Sequence, residues 1–423
     1  MRRWTGFAAL ILAAWWIAGR PPGIRVLNLP AGMVELHSEL TVDGPARVEG
    51  STGTVLHAAD DFHGRALIVV HGRDVTLSGF AIDGNRQALA KTTAPAGLPP
   101  SNVAFARFTV DNAILAEDCS GLNILRLHVR EVAGFAVVVS RCRAVSIDGL
   151  DVSESGSLGP QGRNNTTGGI LLEEGTADFR VTHCRFHNIL GNGVWTHSLY
   201  TSPRNRNGWI AWNNFDAIGR DAVQVGHATA VVVEENAGRR IGYPQEIIED
   251  IPVAIDTAGN VDASRYVRNH FEDINGKCID LDGFHDGAIE DNVCRTLANF
   301  GIVFNDSNPD MHSRNVRVTG NRIDGARYGG IFVIGEGHVI EGNQLINLNT
   351  ARCGPCYYLP DEPDMLRSGI YLAKGVSRPT PARGDRIERN LITGFGMRQR
   401  CVERAPGVAP DGNVVRGNDC RER

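Results

Sequence analysis

The sequence predicts an all-β fold, a right-handed parallel β-helix solenoid of about 11–12 coils. Three observations point to it. A phrase of asparagine, any residue and an apolar residue recurs through the second half of the chain. A second phrase, a small residue followed by alternating apolar positions, precedes these copies, and several copies stand 22 or 23 residues apart. A period of that length marks stacked repeats.

The first phrase reads Asn213-Asn214-Phe215, Asn269-His270-Phe271, Asn292-Val293-Cys294, Asn321-Arg322-Ile323, Asn343-Gln344-Leu345, Asn390-Leu391-Ile392 and Asn418-Asp419-Cys420. The interval from Asn213 to Asn269 has room for two coils, and the longer interval from Asn292 to Asn321 implies a loop insertion. Asparagine carries donors and an acceptor on one side chain, so copies at one turn position can stack into a hydrogen-bonded ladder. It also tolerates left-handed backbone. These asparagines are read as structural.

The second phrase reads Gly169-Ile170-Leu171-Leu172, Gly193-Val194-Trp195-Thr196, Ala222-Val223-Gln224-Val225, Cys278-Ile279-Asp280-Leu281, Gly301-Ile302-Val303-Phe304, Gly330-Ile331-Phe332-Val333 and Gly369-Ile370-Tyr371-Leu372. Such alternation is a strand with one face inward. One coil cannot bury its apolar face alone, whereas stacked coils bury a continuous column. In the first half, residues 67–85 make one coil, and 112–134 and 135–157 make the next two. Cys119 and Cys142 fall at equivalent positions in the latter pair, 23 residues apart. Stacked coils would bring them close enough for a disulfide, or for a column of two buried thiols.

The domain organisation follows. Residues 1–19 have a basic start, a short apolar run and a small-residue exit, as in a secretory signal peptide or a short anchor. Residues 24–423 form a single β-helix domain with an N-terminal cap at about 24–64. Nine cysteines suit an oxidising compartment, and an odd number leaves at least one unpaired. Cys353-Gly354-Pro355-Cys356 has the redox C-x-x-C spacing without a βαβ context and is read as a loop staple. The expected location is secreted, periplasmic or cell-surface. A net charge of −5 argues against a nucleic-acid partner, and no segment beyond the N-terminus is expected in a membrane.

The segment from Ile24 to Asp60, with Asn28-Leu29-Pro30-Ala31-Gly32 and Ala46-Arg47-Val48-Glu49-Gly50, resembles the N-terminal entry of pectin-lyase-like β-helix proteins. Gly79-Phe80-Ala81-Ile82-Asp83-Gly84-Asn85 resembles their first full coil. The resemblance implies the fold over nearly all of the chain and leaves the reaction open, because this fold carries hydrolases, lyases, epimerases and adhesins.

Insertions interrupt the period at about 86–111, 155–167, 198–208 and 351–367. Long loops of a solenoid gather on one face and carry function. Alternation along the recurring strand places Ile279 and Leu281 inward, so Asp280 and Asp282 point outward on one face. The same register turns out Glu173, Trp195, His197, Gln224, Asp256 and Asn305, with Phe332 and Tyr371 beyond them. Asp256, Asp280 and Asp282 then share one area, where mutual repulsion raises at least one pKa and produces a candidate general acid.

Asp256, Asp280, Asp282 and His285 are the candidate catalytic residues. Trp195, His197, Arg204, Arg206, Gln224, His227, Lys277 and Asn305 are the candidate substrate-binding residues. The aspartates resemble those of polygalacturonases in kind, although neither the Gly-His-Gly of that family nor the Arg-x-Pro-x-x-Arg of pectate lyases occurs between residues 170 and 305. Gly283-Phe284-His285-Asp286-Gly287 is similar to the Asp-Pro-His motif of alginate epimerases but lacks the proline. In that reading His285 takes a sugar proton while Arg204, Arg206 or Lys277 neutralises a uronate. Clustered carboxylates also suit calcium; no other cofactor is expected. The sequence thus points to an exported protein that cleaves or modifies an acidic polysaccharide by hydrolysis or by lyase or epimerase chemistry, or to one that only binds glycan.

Overall fold

The computed structural model describes residues 23–93, 103–158, 164, 166–244, 251–307, 311–354, 359–375 and 378–422. The expected export segment, residues 1–19, lies outside them. Among the described residues no helix is long and apolar enough to cross a membrane.

The chain is a right-handed parallel β-helix. Among the described residues every paired strand runs parallel to its neighbour one coil away, in one sheet of 25 strands and a second of 14. The 14-stranded sheet has one strand per coil. Two of its strands, Gly32–Leu36 and Thr54–Ala58, lie in the segment expected as a cap. The fourteen strands exceed the about 11–12 coils expected, the segment expected as a cap supplying two of them. The larger sheet covers two faces, because strands such as Val253–Asp262 and Lys277–His285 turn the corner between them without a break.

The column inside is continuous and apolar. Ile170, Val194, Val223, Ile255, Ile279, Ile302, Ile331 and Ile370 are all buried at 0–1% exposure, one coil above another. The two sequence phrases meet in this column. A Cβ on Gly193 would stand 2.7 Å from the Phe215 ring, one on Gly301 2.9 Å from Ile323, and one on Gly369 2.3 Å from Ile392. The apolar residue of the first phrase therefore occupies space that only the small residue of the second leaves free.

The asparagines form the expected ladder from Asn213 through Asn269, Asn292, Asn321, Asn343 and Asn390 to Asn418. In each step both the backbone N–H and Nδ2 donate to Oδ1 of the asparagine on the next coil, at 2.9–3.0 Å. Nδ2 also donates to a buried carbonyl, such as Val233 O from Asn269 at 2.9 Å. Asn236 supplies the coil between Asn213 and Asn269. At the N-terminal end Cys184 takes the ladder position, its N–H donating to Asn213 Oδ1 at 2.9 Å.

Cys119 and Cys142 form a disulfide across adjacent coils, with Cα atoms 4.5 Å apart. Cys278–Cys294 and Cys401–Cys420 are also bridged. Cys353 is disulfide-bonded, and Cys356 lies outside the described residues. Cys184 is free and buried, and burial pushes its thiol up to about 12.

Candidate active site on the first face

Parallel pairing sets the outward residues in rows along the helix axis. Leu171, Trp195, Gln224, Asp256, Asp280, Val303, Phe332 and Tyr371 are successive partners in one row. A second row pairs Glu173 with His197, and Ala258 with Asp282 and Asn305. Within these strands the alternation read from sequence is the alternation found. The row changes character twice: apolar and covered, then polar, then mainly aromatic.

Asp256 and Asp280 make the polar centre. Asn192 Nδ2 donates to Gln224 Oε1 at 2.7 Å, and Gln224 Nε2 donates to Asp256 Oδ2 at 2.7 Å. Asp256 is held well above the usual carboxylate range by burial and by the negative charges of Asp221 and Asp280. Asp280 is buried at 6% exposure. Its Oδ2 accepts from Lys277 Nζ, and its Oδ1 accepts from the Leu281 N–H at 2.9 Å. Burial raises its carboxyl as well, and the adjacent Lys277 opposes that shift. The two aspartates thus have unlike partners, an amide for one and an ammonium for the other. Both carboxyls are thus shifted toward the protonated form, and only Asp280 has a cation beside it that favours its ionised form.

Beyond Asp280 the face opens into a cleft of about 400 Å³, lined by Lys277, Phe300, Val303, Tyr328, Phe332 and Met365 among others. The alternation of the recurring strands marks the later coils as apolar but does not reveal this cleft, whose Phe300, Tyr328 and Met365 come from outside those strands.

Trp195 does not face open solvent. It is 7% exposed and packs edge-to-face under Phe105, with ring centroids 4.9 Å apart. Phe105 also meets His197 at 5.0 Å and Phe108 at 5.0 Å. The covering segment comes from the 86–111 insertion, and Glu173 secures it. Glu173 Oε2 accepts the Phe105 N–H and Oε1 the Ala106 N–H, both at 2.8 Å. Sequence reasoning turned Glu173 outward without giving it this task.

The remaining candidates lie around this centre. Asp282 accepts the Ser307 N–H at 2.8 Å and the Ser307 hydroxyl, anchoring the turn after Asn305. Asn305 Oδ1 accepts the Asp306 N–H at 2.9 Å, and Asn305 lines the cleft. His227 is buried against the Tyr200 ring at 4.6 Å. Arg204 lies 3.1 Å from Asp262 and donates to the Ala228 and Asn260 carbonyls. Arg206 stands on the next face, paired in register with Ala177 and Thr229. His285 lies past the corner at Gly283, where φ is +71°, and pairs in register with Asp262. Its Nδ1 contacts Asp286 at 2.8 Å and its Nε2 contacts Asn260 at 3.2 Å. The structure therefore gathers Gln224, Asp256, Lys277 and Asp280. It sets Asp282 and Asn305 at their edge and places His285, Arg204 and Arg206 elsewhere.

Calcium on the aspartates is an alternative the sequence leaves open. The ligand atoms that converge within 4.8 Å among the described residues are instead those of Glu173, Glu174 and His197. Left-handed backbone at Glu174, φ +56°, brings consecutive glutamates to one side. Both carboxylates already clamp loops: Glu174 accepts the Leu199 N–H at 2.9 Å and the Ser202 hydroxyl.

Glu173 and His197 predict a pH signature. Burial lifts Glu173 from 4.5 to about 7, so between those values the folded state holds a proton the unfolded chain releases, and stability falls as pH rises. Burial and neighbouring His227 lower His197 from 6.5 to about 4, so below 6.5 the unfolded chain binds a proton the folded state refuses, and stability is lost as pH falls. The two slopes oppose each other between about pH 4.5 and 6.5. Denaturant titrations should show His197→Phe losing stability as pH rises through this window, and Glu173→Gln gaining it. Each slope has a ceiling of about 1.4 kcal/mol per pH unit. Parallel profiles for the two variants would refute the assignment.

Residues 246–347 match the family model described as a right handed beta helix region. No curated protein matches the sequence. The fold is similar to PfbA, a surface adhesin of Streptococcus pneumoniae, at 15% identity and TM-score 0.58, over 77% of this chain and 84% of that one. It is similar to the A-module of the Azotobacter vinelandii mannuronan C-5 epimerase AlgE4, at 12% identity and TM-score 0.57, over 93% and 91%. It is also similar to the GH136 lacto-N-biosidase of Eubacterium ramulus, at 13% identity and TM-score 0.56, over 93% and 67%. These neighbours are carbohydrate-related β-helix proteins and a surface adhesin, and at such identities the likeness is one of fold.

Proposed function

We propose that this chain is an exported glycan-cleaving enzyme that hydrolyses a glycosidic bond between Asp256 and Asp280. The observation that carries this reading is the in-register pair of carboxylates with unlike partners, joined through Lys277 to a neighbouring aromatic cleft. Asp256 protonates the leaving oxygen as the glycosidic bond breaks, while Asp280 bonds to the anomeric carbon. Water then displaces Asp280 and returns its proton to Asp256. Export is supported by the disulfides, which persist in oxidising compartments.

The sugar at the pair is read as neutral rather than as the uronate expected from sequence. Of the two basic side chains beside the pair, Lys277 contacts Asp280 and Arg220 stands 3.7 Å from Asp221. Arg204, expected to hold the uronate, contacts Asp262. The lyase and epimerase readings lose support for a related reason, since His285 is held by Asp286 and Asn260.

The strands that carry the pair stand about 4.8 Å apart, and carboxyls projecting in parallel from them keep roughly that separation. That is nearer the about 5–5.5 Å of retaining glycosidases than the about 6.5–9.5 Å of inverting ones. A panel of neutral and uronate glycans, followed by proton NMR before mutarotation, is expected to give new reducing ends from a neutral glycan with retained anomeric configuration. An inverted product would move the second role to Asp282, diagonal to Asp256. A new ultraviolet-absorbing end would indicate elimination. Binding of glycan without turnover would leave a binding protein and end the enzyme reading.

A further inference from the structure

We infer that the site accepts the free end of a glycan, or a short oligosaccharide, and excludes the interior of a long chain. This inference rests on the reading of the first face as a glycan site. It is drawn from what closes the outward row at both ends, not from the aspartates.

The N-terminal end is stopped. Leu115, Val138 and Leu171 are 0% exposed although they occupy outward positions in register with Trp195. Phe105 and Phe108 lie over this stretch, and two backbone N–H bonds to buried Glu173 fix the segment. A glycan running toward the N-terminus along the row meets Phe105 and Trp195.

The C-terminal end is stopped as well. Tyr371, next in the row after Phe332, is 1% exposed and stacks on Phe332 with centroids 6.2 Å apart. Its hydroxyl donates to Glu362 Oε2 at 2.9 Å, and Glu362 Oε1 lies 3.0 Å from Lys374 Nζ. Met365, 3% exposed, comes from the same 351–367 insertion and lines the cleft. Two insertions more than two hundred residues apart in sequence therefore close the outward row at its two ends, and the later one lines the cleft.

Five coils separate the walls, those of Gln224, Asp256, Asp280, Val303 and Phe332, about 19 Å at one coil per 4.8 Å; Asp256 and Val303 are the partly exposed positions among them, and Gln224, Asp280 and Phe332 are buried beside them. A site that cuts within a polymer needs a groove that runs out at both ends; this row runs out at neither. The acid pair is off-centre. Asp256 is two coils, about 10 Å, from Trp195, whereas the aromatic cleft extends on the other side. The short side takes the sugar that leaves as the small product. Phe300, Tyr328 and Phe332 take the sugars on the long side, since aromatic rings offer flat apolar surface to the faces of sugar rings.

Two measurements on the full chain test this. The first is the early product profile on whichever neutral glycan it cleaves. Mono- or disaccharide from the first minutes, with the mean polymer length hardly changed, is the expected result; a ladder of long fragments overturns the inference. Glu173→Gln, which loosens the N-terminal wall without touching the aspartates, is expected to add longer products. Circular dichroism checks its fold, and Tyr371→Phe repeats the test at the other wall. The second measurement does not depend on turnover. An array of linear neutral oligosaccharides coupled through one end is compared with cyclic α- and β-glucans, which have no ends. Signal on free-ended forms alone upholds the inference even if the enzyme reading fails. Equal signal on cyclic forms, or none on any glycan, overturns it.

Discussion

Asp256→Asn is expected to lower kcat on the cleaved glycan by about 10²–10⁴-fold, the range for loss of a positioned general acid. The KM should change little. Asparagine keeps the shape and still offers an oxygen to Gln224 Nε2, so the 2.7 Å contact survives while the transferable proton does not. The replacement also removes a carboxyl whose charged form burial and two aspartates disfavour, so folding stability should hold or rise slightly. Asp280→Asn is expected to be equally inactive but less stable, because it leaves Lys277 beside a neutral amide in a buried place. A variant set in which Asp256→Asn retains most of its turnover would remove Asp256 from the chemistry. Coincident thermal melts are the control that separates lost chemistry from lost fold.

The largest effect on stability is expected at the ladder. Asn269→Ala removes an oxygen that accepts both the Asn236 N–H and its Nδ2, and a donor that serves Val233 O and Asn292 Oδ1. Every one of these groups is buried, and an orphaned buried polar group costs about 1–3 kcal/mol. The sum is expected at about 4 kcal/mol, below full additivity because neighbouring deletions share partners. Urea unfolding should show it, either as one shifted transition or as two. A split is natural for a solenoid, where each coil contacts only its neighbours and a weak coil can divide the array. A loss under about 1 kcal/mol would mean that the ladder asparagines are held by the column rather than holding it.

The fold was legible because a solenoid repeats its physics. One turn position demands asparagine and one strand position demands a small residue, so the same demand surfaces every coil. Asn236 escaped the pattern because it is followed by Ala237 and Gly238. There the apolar third residue is missing, and a Cβ on Gly238 would stand 2.8 Å from the Phe271 ring. The outward rows were legible for the same reason, since alternation within one strand needs no tertiary information. Alternation failed where the strand rounds a corner. Gly283 with φ +71° resets the count, so His285 cannot be placed from Asp280 and Asp282. What lies above the rows was illegible too. Nothing local marks Phe105 as the cover of Trp195, about ninety residues later, or Glu173 as its anchor. Long-range cover is set by where loops of unequal length fall, and no period encodes that.

The ladder also makes the coil an exchangeable part. Each asparagine offers its neighbour the same two donors on one side and the same single acceptor on the other. Removing residues 322–343 as a block would therefore present Asn321 with Asn390 in place of Asn343, every amide again matched. Lengthening by a whole coil is equally free of mismatch, whereas a change of a few residues within a coil is not. The number of coils between the two end walls, and so the length of glycan end the cleft admits, can change in whole steps of about 4.8 Å while the column beneath stays the same.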